Sequence, residues 1–240
     1  MKEDYFRWNT PHLGREFEML VFGHAGYPVI AFPPALGRYY QYKDFGLLQS
    51  VAHLVADGRV KIYCPDGIDA ESWCNQSIHP ADRVRRHLAY ENVMLHEVVP
   101  QALRETGHTR VAVTGVGFGG YHAANFAFRH PHLVGHLFSL SGAFDIKPFL
   151  DGHYDDNCYF NNPPDFLSGL ADASILCHLH AMGIVLGTGE WDKCRDENLR
   201  LAGILGAKGI AHWLDDRRWC GHDWGWWRDM FPTYLARIPN

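Results

Sequence analysis

The residues best suited to chemistry start at a turn rich in glycine. Arg110-Val-Ala-Val-Thr-Gly115-Val116-Gly117-Phe118-Gly119-Gly120-Tyr121 runs from a β-branched segment into a tight turn, and Tyr121 to Arg129 then reads as a helix. A strand, a sharp turn and a helix in that order raise one residue at the apex. When that residue is serine its hydroxyl is presented as a nucleophile, and the positions two before and two after must be small so that strand and helix can close on each other. Gly115 and Gly119 meet that requirement. The apex itself, Gly117, is glycine, so the turn has the form of a nucleophile elbow without the attacking atom. Phe118, next in the chain, would offer its backbone N–H to an oxyanion.

A nucleophile at such a turn is served by an acid and then a histidine, in that chain order. Gly187-Thr-Gly-Glu190-Trp191-Asp192 leaves a strand for a loop and supplies the acid: Asp192 is the first choice and Glu190 the alternate, with a surface or helix-terminal charge as the plain reading of either. Cys220-Gly-His222-Asp-Trp224 follows the last expected strand and places His222 as the base. The second oxyanion donor should come from the loop after Pro28–Phe32. Pro33 and Pro34 have no N–H, which leaves Leu36 first and Ala35 second. Arg38, beside that loop, is a candidate to bind an anionic group of a substrate, or else a surface ion pair. Trp191 and Trp224 adjoin the candidate acid and base, and at least one of them is expected to line the substrate pocket.

The same glycines also spell Gly115-x-Gly117-x-x-Gly120, the fingerprint of a dinucleotide-binding turn. That motif normally opens a fold, whereas here strands precede it. It also needs an acid near the end of the following strand for the ribose. That strand closes as Phe138-Ser-Leu-Ser-Gly142, and the first carboxylate is Asp145.

These residues must be positioned by the rest of the 240-residue chain, which reads as a single α/β domain over 1–240. Strands are expected at 15–23, 28–32, 60–64, 111–114, 133–140, 183–188 and 210–214. Helices are expected at 44–56, 81–106 with a bend at Pro100, 121–129, 196–206 and from about Trp224. Strands alternating with helices predict a mostly parallel sheet covered on both faces. Residues 143–172, rich in Asp, Asn, Pro and aromatics, read as an irregular loop insertion near the site.

Together these residues resemble the esterase branch of the α/β-hydrolases that includes esterase D (S-formylglutathione hydrolase), feruloyl and enterochelin esterases and the mycolyltransferases. The likeness runs from about Tyr27 to Arg228. It is carried by Phe32-Pro with Gly37-Arg38-Tyr39, Glu71-Ser72-Trp73, Glu97-Val-Val-Pro100, Gly119-Gly-Tyr-His-Ala, Ser141-Gly142, Tyr159-Phe-Asn161, Gly187-Thr-Gly189 and His222-Asp-Trp224. The resemblance implies an α/β-hydrolase fold and hydrolysis of a small-molecule carboxylic ester or thioester through an acyl-enzyme, with no cofactor. Gly117 departs from the pattern. The chain is therefore expected to be an inactivated variant or a very weak enzyme, with a non-catalytic ligand-binding protein on the same fold as the alternative.

Bulk properties narrow the partners. With 22 basic and 27 acidic residues the net charge is −5, and no basic stripe marks a nucleic-acid surface. No apolar run is long enough to span a membrane, and the N-terminus lacks a signal-peptide pattern, so a cytoplasmic protein is expected. The six cysteines form no C-x-x-C pair and read as reduced thiols. Asp151-Gly-His-Tyr-Asp-Asp156 lacks EF-hand spacing, and His178 and His180 lack a further ligand nearby, so no metal is expected.

Overall fold

A computed structural model describes residues 1–239. Eight strands form one sheet: β1 (Glu3–Thr10), β2 (Arg15–Phe22), β3 (Tyr27–Phe32), β4 (Val60–Pro65), β5 (Val111–Val116), β6 (Val134–Leu140), β7 (Gly183–Trp191) and β8 (Trp213–Gly221). Their spatial order is β1-β2-β4-β3-β5-β6-β7-β8. β1 pairs antiparallel with β2 and β2 antiparallel with β4, and every later pairing is parallel. Three short helices follow β3: α1 (Gln41–Asp44), α2 (Leu47–Ser50) and α3 (Ala52–Ala56). Then come α4 (Pro80–Val93), α5 (Val99–Thr106), α6 (Phe118–Arg129), α7 (Asp156–Phe160), α8 (Pro163–Gly169), α9 (Ala173–His180), α10 (Arg195–Ala207) and α11 (Trp224–Leu235).

The two-residue period of the strands divides the core into two layers. Ile30, Phe32, Val111, Val113, Leu137, Ile184 and Leu186 face one layer, with α5, α6 and α10 behind them. Val29, Ala31, Ala112, Phe138, Leu140 and Val185 face the other, with α2, α3 and α11. Both faces of the central strands are thus buried, which is why those strands read as continuous apolar runs rather than alternating ones.

The structure departs from the sequence reading in several places, including the unexpected helix α9. β1 is absent from the expected strands because it is an outer strand whose exposed and half-buried residues alternate. The helix expected at 44–56 begins earlier, at Gln41, and is broken into three short helices, with Gly46 at φ 74° between the first two. The helix at 81–106 is interrupted by a π turn over Met94–Val98. Pro100 cannot donate to the carbonyl four residues back and its ring collides with it; the wider turn absorbs the conflict. The segment 143–172 is more helical than expected: Asp155 caps α7 by accepting from the Cys158 N–H at 2.9 Å, and Pro163 starts α8, where a missing N–H costs nothing. β8 also extends past its expected end through Asp215-Asp-Arg-Arg218, charges that an edge strand tolerates.

Candidate active site

The turn after β5 is as tight as its glycines suggest. A Cβ on Gly115 would stand 1.9 Å from the Gly119 carbonyl oxygen, and one on Gly119 would stand 2.4 Å from the carbonyl oxygens of Phe32 and Pro33. Neither position can hold a side chain, because the backbones of β5, α6 and the loop after β3 meet there. Gly117 sits at the apex with φ 56° and ψ −121°, at the N-cap of α6. Its N–H donates to the Leu140 carbonyl at 2.9 Å, and its own carbonyl accepts from Gly120 N–H at 2.9 Å. Phe118 is the first residue of α6, so its N–H has no partner within the helix.

β7 and β8 deliver the acid and the histidine to this apex. Asp192 follows the last residue of β7 in a turn closed by its N–H on the Gly189 carbonyl (3.0 Å). His222 follows the last residue of β8, and Asp223 behind it caps α11 through the Gly225 and Trp226 N–H groups. His222 Nδ1 donates to Asp192 Oδ1 at 2.8 Å. The other ring edge points at the elbow: a Cβ on Gly117 would stand 3.2 Å from His222 Nε2. The Asp192 side chain is fully buried and that of His222 retains 18% of its exposure. Burial alone would raise the Asp192 carboxyl. Hydrogen bonds from His222, the Ser141 hydroxyl and the Cys194 N–H outweigh it and hold the carboxyl below its ordinary range. Thr188 Oγ1 adds a bond to Oδ2 at 3.0 Å.

The other sequence candidates lie as follows. Glu190 turns away from His222 and accepts from the Trp219 N–H at 3.0 Å. Leu36 lies on the loop after β3 with φ 56°. Its N–H donates to Asp69 Oδ2 at 3.2 Å, so in this state it is engaged rather than free for an oxyanion. Among the described residues the Ala35 N–H, the second choice, has no acceptor. Arg38 forms the ion pair that the sequence left as its alternative: Nε donates to Asp66 Oδ1 at 2.7 Å and Nη2 to Glu18 Oε2 at 2.6 Å. Trp191 is 66% exposed. Trp224 stacks on Phe45 with ring centroids 4.5 Å apart.

Three residues close to the site are given no role in it by the sequence reading. Trp227 meets the His222 ring edge-on at 5.1 Å and donates from Nε1 to Ser141 Oγ at 2.9 Å, which ties α11 to the acid's hydrogen-bond shell. It lies five residues beyond His222 in an aromatic run where no single tryptophan stands out. Asp69 and His122 form a buried pair, Oδ1 accepting from Nε2 at 2.8 Å. The pair links the loop carrying Leu36 to α6. His122 belongs to the Gly119-Gly-Tyr-His-Ala motif of the resemblance and Asp69 lies two residues before Glu71-Ser72-Trp73, the only sequence signal that points toward them.

The dinucleotide reading loses its remaining support. The end of β6 offers Ser139 and Leu140, Ser141 follows it, and Asp145 is paired with Arg200 at 3.2 Å. The space beside Gly120 is taken, since a Cβ there would stand 2.5 Å from Ser139 Oγ.

No family model matches the chain, and no curated protein matches it in sequence. Its structure does match solved ones. A ferulic acid esterase is similar with a TM-score of 0.79 at 16% identity, covering 99% of both chains. The S-formylglutathione hydrolase of Agrobacterium tumefaciens is similar with a TM-score of 0.74 at 13% identity, covering 99% of this chain and 95% of that one. The S-formylglutathione hydrolase of Staphylococcus aureus is similar with a TM-score of 0.67 at 12% identity, covering 100% of this chain and 99% of that one. At these identities the likeness is one of fold, and together with the strand order and the elbow after β5 it makes this chain an α/β-hydrolase fold.

Proposed function

We propose that Gly117, Asp192 and His222 form the acyl-transfer site of a carboxylic-ester or thioester hydrolase whose nucleophile position is vacant of a hydroxyl. One observation carries this reading: His222, oriented by Asp192 at 2.8 Å, aims Nε2 at the place where a side chain on Gly117 would begin, 3.2 Å away. With serine at the apex, Oγ would attack the acyl carbon, Nε2 would take the proton, and Asp192 would hold the ring in the required tautomer. The oxyanion would be received by the Phe118 N–H and a donor from the loop at Ala35–Leu36. That the solved structures sharing this fold are named for ester and S-formylglutathione hydrolysis supports the substrate class.

Glycine removes the covalent route. What remains is a base facing the acyl position and the oxyanion donors. In subtilisin, losing the serine costs about 10⁶ in kcat and leaves about 10³–10⁴ over water. This chain is accordingly a very slow hydrolase, with a water deprotonated by His222 in place of Oγ, or a binder of small-molecule esters. Gly117 itself favours the binder as the second reading.

The test is a short-chain p-nitrophenyl ester assay on the chain and on Gly117→Ser. The reading holds if the serine variant gains several orders of magnitude over the parent. A folded serine variant with no gain removes the hydrolase reading and leaves the binder.

A further inference from the structure

Where the chain enters α7, three side chains of different chemistry converge, His153 and Asp155 from the approach and the buried Cys158 from within the helix. His153, Asp155 and Cys158 each offer one donor atom, and these atoms all lie within 4.8 Å of one another. We propose that they form a binding site for a borderline-soft divalent cation of the zinc class, with a fourth position open to water or a ligand.

The donor set selects the ion. Thiolate, imidazole and carboxylate together suit zinc and its neighbours, whereas calcium and magnesium take oxygen alone. The acidic residues around the cluster do not convert it into a hard-cation site: the Asp151 carboxylate is held by Arg83 Nη2 at 2.9 Å. Zinc bonds of about 2.0–2.3 Å put tetrahedral donors about 3.3–3.8 Å apart, so the three groups need close only slightly.

Local structure leaves these donors free to converge. Asp155 uses Oδ1 to cap α7 through the Cys158 N–H at 2.9 Å, and this bond fixes the thiol and the carboxylate in one turn. Oδ2 remains, 3.3 Å from His153 Nε2. That nitrogen is not aligned on Oδ2 as a hydrogen bond; it is buried and has no hydrogen-bond partner. A buried imidazole nitrogen whose neighbour is a misaligned carboxylate is better satisfied by an ion held between the two. The ring is held by His79, edge-on at 5.2 Å. The His153 and Asp155 side chains keep 30% and 39% of their exposure, so an ion can enter from solvent.

The site reaches the elbow through packing. Cys158 belongs to the same apolar cluster as Leu150 and Phe118, and Phe149 packs on Phe118 with ring centroids 5.1 Å apart. Coordination replaces the S–H bond with a metal–sulfur bond and releases the proton to solvent. It would pin residues 149–158 over the residue that follows Gly117. The inference does not depend on whether the Gly117 site hydrolyses anything.

The test is Co²⁺ titration of the full reduced chain, followed by Zn²⁺ competition. Expected are one equivalent bound, a near-ultraviolet sulfur-to-cobalt charge-transfer band, and displacement by Zn²⁺. Cys158→Ser should abolish the band, and His153→Gln should weaken binding at least tenfold. Cys177→Ser, at an exposed thiol, should change neither. Asp155→Asn keeps the helix cap while removing the charge, and should weaken binding even if Cys158→Ser fails to fold. Absence of a thiolate band in the parent overturns the site. So does a band that survives His153→Gln and Asp155→Asn at full affinity, or one lost in Cys177→Ser.

Discussion

The Nε2 atom of His222 stands 3.2 Å from where a Cβ on Gly117 would be, at a residue whose φ of 56° and ψ of −121° suit few side chains. The chain keeps the backbone that presents a nucleophile and the histidine that would activate one. A glycine adopts that backbone without strain, whereas any other residue must be held there by its surroundings.

Substitution at Gly117 should therefore separate stability from chemistry. Both Gly117→Ala and Gly117→Ser are expected to lower unfolding free energy by about 1–3 kcal/mol, from positive φ and the tight contact with His222. Only the serine variant should gain ester hydrolysis. Denaturant unfolding with the ester assay reads both quantities. An alanine variant as stable as the parent would show that the apex is not strained.

In the Gly117→Ser background, the acid can be assigned. Asp192→Asn should lower kcat by about 10⁴ with little change in KM, because the wrong imidazole tautomer then faces the serine. Glu190→Gln should leave kcat within a few-fold, since Glu190 bonds the Trp219 N–H and not His222. A large loss in Glu190→Gln, with Asp192→Asn unaffected, would reverse the assignment.

The elbow and the acid-to-histidine order are legible in the sequence because each rests on local rules: small residues where backbones collide, and the ends of consecutive strands. Gly115 and Gly119 read as close approaches from their spacing around the apex. The surroundings of Arg38, Leu36, Trp191 and Trp224 are not legible in this way, because they come from distant parts of the chain. Arg38 is claimed by Glu18 on β2 and Asp66 after β4, and Leu36 N–H by Asp69. Adjacency in sequence to an acid or a base says nothing about direction: Trp191 points to solvent while Trp227, five residues past His222, packs on its ring. The π turn before Pro100 shows the same limit, since sequence predicts a bend but not its form.

Arg38 thus carries a structural expectation. Arg38→Met should destabilise the fold by about 1–3 kcal/mol, by leaving the buried Asp66 carboxylate short of a partner. The lower end is expected because the guanidinium is partly exposed and screened. Binding of anionic and neutral ester analogues should weaken equally, if at all. A selective loss for the anionic ones, seen by calorimetry, would restore Arg38 as a ligand-binding group.

The sharpest pH dependence should come from His87. It is buried beneath α6, where Nε2 lies 3.1 Å from both the Asn161 Oδ1 and Asn125 Nδ2 atoms. Burial, with His122 adding repulsion, lowers its pKa to about 3. The unfolded value is about 6.5, so the unfolded chain takes up a proton on acidification that the folded chain refuses. The stability this neutral histidine permits is complete above pH 6.5 and falls progressively toward pH 3. Between pH 7.5 and pH 5 the loss from this one group should be about 2 kcal/mol. His87→Gln should be less stable than the parent at pH 7.5, because the ring's packing on Trp73 is lost, yet show a shallower decline toward pH 5. Equal slopes for the two proteins in denaturant unfolding over that range would mean that His87 is not the group being protonated.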